Sequence, residues 1–147
     1  MVELSGALIG LLFATATIYV AAAKKIESWL YVAFLPCLPV FYMAFGALDG
    51  SINTIMMELV FGLPFIAAGL LLLSLKFRYS AYLAGTFWIA HAGWDFFHDL
   101  FFINAGVWLW YPVFCAAIDF VVGAYLIYLG TKLPQARMDL ANQTSNA

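Results

Sequence analysis

The apolar runs leave this chain few options. Residues 4–23, 28–48, 52–75, 80–103 and 107–129 are each predominantly apolar. Each run is about 20 residues long, which is what an α-helix needs to cross the hydrocarbon core of a bilayer. The runs do not alternate apolar with polar residues, as strands of a membrane β-barrel would. Hydrophobic residues make up 66% of the 147 and charged residues 10%, against roughly 25% charged in soluble domains. A chain of this length has too little interior to hide that much apolar surface from water. The expected fold is therefore all-α: a polytopic integral membrane bundle of five transmembrane helices. These form one domain over residues 1–130, and 131–147 form a polar tail, partly disordered past Ala141.

Orientation follows from the short loops. Five spans that alternate sides place Lys24, Lys25, Lys76, Arg78, Lys132 and Arg137, all six basic residues of the chain, on one side. Positive residues mark the cytoplasmic side, so the N-terminus is expected outside and the C-terminus in the cytoplasm. Met1-Val2-Glu3 precedes the first run and Lys24-Lys25 follows it, the reverse of a secretory signal peptide. Pro36 and Pro39 predict a bend in the second span, and Asp49-Gly50-Ser51 predicts a turn. Trp29, Tyr31, Tyr79, Tyr82, Trp108, Trp110 and Tyr111 lie near span ends, as interfacial aromatics do. The expected partners are the lipid bilayer and a second copy or a larger membrane complex. Nothing basic or Gly-rich points to nucleic acid.

Against this background the polar residues inside the spans stand out. On a regular helix Asp95 lies about 40° and His98 about −20° from His91, so the three share one face at i, i+4, i+7. Asp99 lies on the edge of that face, at about 80°. Trp88 and Trp94 flank it. Glu58 enters from the third span, and Tyr111, Cys115 and Asp119 form a second polar stripe at i, i+4, i+8 on the fifth. Glu58, Asp95, Asp99 and Asp119 are carboxyl groups without a Lys or Arg at their depth. An ionised side chain at mid-membrane costs roughly 2.5–3.5 kcal/mol on insertion scales. Three chemistries relieve that cost: protonated, hydrogen-bonded acids, pairing with protonated histidine, or a bound metal ion.

The last sets the leading expectation. His91, Asp95 and His98 would hold a metal (Zn, Fe, Mn or Cu), with Glu58 and Asp119 as possible partners. Asp99 or Glu58 would serve as acid or base toward an apolar or lipid-like substrate. An alternative places a haem or pigment on one histidine, with Trp88 and Trp94 packed on the macrocycle. Further alternatives are a proton- or ion-coupled transport component and a structural or assembly subunit.

The motif itself, His-x-x-Trp-Asp-x-x-His at His91, Trp94, Asp95 and His98, resembles a signature of small uncharacterised integral membrane proteins of bacteria. The resemblance covers this one helix. It implies a bacterial inner or plasma membrane location and a site at the motif, and brings no activity with it.

Overall fold

The structure, a computed structural model, describes residues 2–75 and 77–145, without the side chains of 28, 77–79 and 133–145. Lys76 and the side chains of Arg78, Tyr79 and Arg137, which the orientation and aromatic-belt readings use, therefore lie outside the described residues. The described chain is helical and has no strand. Its helices are α1 (Val2–Lys24), α2 (Glu27–Phe34), α3 (Leu38–Leu48), α4 (Ile52–Leu72), α5 (Phe77–Phe97) and α6 (Tyr111–Ser145). A single 3-10 turn, Leu35–Cys37, joins α2 to α3, so the two act as one bent rod. Four segments are long and apolar enough to cross a membrane: Val2–Lys24, Trp29–Leu48, Ile52–Leu72 and Tyr111–Lys132.

The burial pattern is that of a protein whose solvent is lipid. Large apolar side chains such as Leu12, Tyr19, Leu48, Leu71, Ile103 and Leu109 are exposed, while Glu58, His91, Asp95, His98, Asn104 and Asp119 are buried. Without a hydrophobic driving force between them, membrane helices associate by close backbone approach at small residues. The buried residues of α1 are Gly6, Gly10, Ala14 and Ala21, a stripe of small residues. A Cβ on Gly6 would meet the Trp110 carbonyl just before α6, and one on Gly10 the Phe114 carbonyl of α6. Gly85 of α5 and Gly123 of α6 lie back to back, each Cβ position within 2.8 Å of the other's carbonyl oxygen. Gly62 and Gly69 of α4 receive Pro39 and Pro36. The expected bend at the prolines is thus present as the 3-10 turn, and it also forms the packing surface for α4.

The turns follow local rules. Gly50 takes φ +73° after α3, with Ser51 N–H donating to the Gly46 carbonyl, a Schellman closure. Ser51 then caps α4, its Oγ accepting from Thr54 N at 3.2 Å. Lys25, at φ 55°, closes α1 in the same way, with Ile26 N donating to Ala21 O. A non-glycine residue in that conformation costs roughly 1–2 kcal/mol.

The largest boundary differences lie in the last two helices. The fourth helix stops at Phe97 instead of 103, because Phe97 leaves helical geometry (φ −104°, ψ 5°) and His98–Leu100 form a 3-10 turn. The last begins at Tyr111, with Pro112 in its first turn, where a missing N–H costs nothing. Its backbone stays helical to Ser145, through much of the segment read as a tail.

Candidate functional site: two histidine centres between α3, α4, α5 and α6

The close crossing at Gly85 and Gly123 brings the polar residues of α5 against those of α6. His91 Nδ1 lies 2.7 Å from Asp119 Oδ2 and 3.5 Å from Asp95 Oδ2. One donor atom from each of His91, Asp95 and Asp119 falls within 4.8 Å of the others, and all three residues are buried. Both Asp95 oxygens are buried and lack a hydrogen-bond partner. The Tyr42 phenol of α3, also without a well-formed hydrogen bond, faces Asp95. Phe65 stands edge-on to the His91 ring at 4.8 Å, closing the centre with apolar surface.

The second centre lies on the 3-10 turn. His98 Nε2 is 2.8 Å from Glu58 Oε1, and its Nδ1 is 3.1 Å from Asp99 Oδ1. The Asp99 side chain is 74% exposed, whereas Glu58 is buried. Asn104 Nδ2 donates to Glu58 Oε1 at 2.7 Å and to the Tyr42 carbonyl at 3.0 Å. Tyr42 separates the two centres: its ring stacks on His98 at 4.7 Å and lies 6.5 Å from His91.

The expected set of His91, Asp95 and His98 is thus divided. The structure keeps His91 with Asp95, adds Asp119, and turns His98 toward Glu58. The cause is the backbone at Phe97, since a 3-10 turn advances faster than 100° per residue and the shared face of the regular helix ends there. Glu58 and Asp99, expected as acid or base, meet across His98 instead of at His91. The two tryptophans part in the same way. Trp88 Nε1 donates to the Tyr31 carbonyl at 3.0 Å beside the first centre. Trp94 stacks on Phe61 and Phe101 and meets His98 edge-on.

Sequence reasoning missed Tyr42 and half of Asn104's role. Asn104 is a turn residue, with Val107 N donating to its carbonyl, but its amide also reaches Glu58. An asparagine among Phe, Ile and Leu was the available signal.

A cavity of about 300 Å³ adjoins the first centre. Its polar lining is Tyr42, His91, Tyr111, Cys115 and Asp119, and its remaining walls are Phe, Leu, Ile and Trp88. Among the described residues every ion pair runs through a histidine, and Lys24, Lys25 and Lys132 are exposed. Comparison with protein-family models, curated proteins and solved structures gives no match to this chain.

Proposed function

We propose that the protein is a five-span membrane protein holding a metal cation on His91, Asp95 and Asp119, beside a cavity for an apolar molecule. The fifth span is α5. It is as long as α4, 21 residues each, and lies against α6 from Gly85 to Tyr82, where Gly123 and Gly130 receive it. A helix held along a spanning helix crosses with it. The N-terminus outside and C-terminus in the cytoplasm follow from Lys24, Lys25 and Lys132 falling on one side.

The observation that carries the metal reading is Asp95. The Asp95 carboxylate is buried with no hydrogen bond to either oxygen and only the 3.5 Å pair with His91 beside it, a costly placement, and membrane helices keep such groups where they are used. A cation shared with His91 and Asp119 removes the cost. Ligands at about 2.0–2.2 Å from a metal lie about 3–3.5 Å apart. The His91–Asp95 distance of 3.5 Å matches that spacing, and the 2.7 Å His91–Asp119 bond opens modestly to meet it. Imidazole with carboxylate suits Zn, Fe or Mn. The small cavity favours a bare ion with a small organic molecule over a haem. In the second centre Glu58 accepts from both His98 and Asn104, which ties α4 to the turn after α5 and to the loop before α6, while Asn104 Oδ1 is left without a hydrogen bond.

Elemental analysis of protein purified without chelator tests this reading. The expected result is one metal ion per chain, lost in Asp95→Asn and kept in Asp99→Asn. Absence of metal in the wild type after incubation with zinc, iron and manganese overturns it. One observation favours a second reading: the 2.7 Å His91–Asp119 bond beside the Asp95 carboxylate can also exchange protons. That reading predicts metal-free protein whose proton uptake is lost in Asp119→Asn.

A further inference from the structure

The cavity beside His91 has a direction. Phe13 of α1, Phe34 of α2 and Phe41 of α3 line it, yet each is a large apolar side chain exposed on the outside of the bundle, at 53%, 42% and 44%. The cavity therefore opens sideways, between α1 and the bent α2–α3 rod, onto the apolar flank. Its inner wall is different. Tyr111, Cys115 and Asp119 follow one another at successive turns of α6, with His91 bonded to Asp119 and the Tyr42 ring edge-on to Tyr111 at 5.7 Å. Aromatic rings make up most of the rest.

We infer that this cavity is a lateral binding site for an uncharged molecule dissolved in the bilayer, with a flat, unsaturated body and one hydroxyl or carbonyl head. The mouth selects against charge, because an ion must leave water to reach it through lipid. The cavity wall offers an anion no Lys or Arg to pair with. Phe, Tyr and Trp faces favour a planar ring, which stacks offset or edge-on. The phenols and the Cys115–Asp119 stretch supply hydrogen-bond partners for a single polar head. At about 300 Å³ the cavity stands at the small end of ligand pockets, which run from roughly 300 to 1,000 Å³. The body is therefore about two fused rings, not a long lipid chain. The inference rests on the reading of the His91 centre as functional, and it names what that centre acts on.

The two cysteines provide the test. Cys115 lines the cavity, while Cys37 is exposed elsewhere on the apolar surface. An apolar thiol reagent such as benzyl methanethiosulfonate is added to the protein in lipid nanodiscs, and modification of each cysteine is followed by mass spectrometry. Naphthol is the neutral probe, with naphthoate and naphthylmethylamine as its anionic and cationic counterparts. Saturating naphthol is expected to slow Cys115 roughly tenfold, equivalent to about 1.4 kcal/mol, while Cys37 is unaffected and the charged probes protect neither. Equal slowing at both cysteines, no slowing, or stronger protection by a charged probe overturns the inference. The same assay on Asp95→Asn, whose carboxylate does not line the cavity, separates the two readings. Protection that survives in Asp95→Asn shows that the ligand class stands without the metal, whose own test is the metal content of the wild type. Wild-type protein that holds metal but shows no Cys115 protection keeps the metal and overturns the ligand class.

Discussion

Replacing Asp95 by asparagine removes a charge that the folded protein buries without a hydrogen bond. A buried charge costs more than a buried neutral amide, so metal-free Asp95→Asn is expected to unfold at the same temperature as metal-free wild type or higher. Added metal should raise the wild-type melting temperature and leave the variant's unchanged. Lower stability of the metal-free variant would show that Asp95 has a structural partner. Glu58 predicts the opposite pattern. It accepts from both His98 and Asn104, and Glu58→Ala leaves two buried donors unpaired. A loss of about 1–3 kcal/mol is expected in denaturant unfolding, with metal content unchanged. An unaltered midpoint would mean that the second centre does not hold α4 in place. Two acids of similar sequence context thus have different roles. The sequence identified both as buried, but it held no signal for which one lacked hydrogen bonds, because that depends on Asn104 arriving from a loop 46 residues away.

At the level of the helices, α5 and α6 carry the site, and Gly85 against Gly123 sets their separation. Gly123→Leu places side-chain atoms where the Gly85 carbonyl and Ile89 already stand. It should cost about 1–3 kcal/mol, as overpacking does, and move Asp119 away from His91, so that metal content falls while helix content measured by circular dichroism is retained. Gly93 of α5 is the control. A Cβ there meets nothing within 4 Å, and Gly93→Ala should be neutral or stabilise by up to about 1 kcal/mol. If both substitutions behave alike, the close crossing does not position the site. The helices and their turns were legible in the apolar runs, in Pro36 and Pro39, and in Asp49-Gly50-Ser51. The end of α5 was not. Phe96-Phe97-His98-Asp99 contains no glycine or proline to mark the 3-10 turn, and tertiary contacts of His98 and Asp99 decide it. The regular-helix argument grouped His98 with His91 for that reason.

For the whole molecule, the apolar exterior and polar interior were evident from composition. The pairing of α6 with both α1 and α5 was not, because it depends on small residues in register on helices far apart in sequence. The five-span topology remains testable directly. Cysteines introduced at Asp49 and at Lys25 in a Cys37→Ala, Cys115→Ala background should be labelled by a membrane-impermeant maleimide from opposite sides of sealed vesicles. Labelling from the same side would mean that α2 and α3 do not cross as one rod. The proposed metal binding at the bundle's centre has a direct structural readout as well. Crystals grown with manganese or zinc, measured at the metal's absorption edge, should show a single anomalous peak about 2.0–2.2 Å from a donor atom of each of His91, Asp95 and Asp119. A peak between His98 and Glu58, or none at either centre, would contradict it.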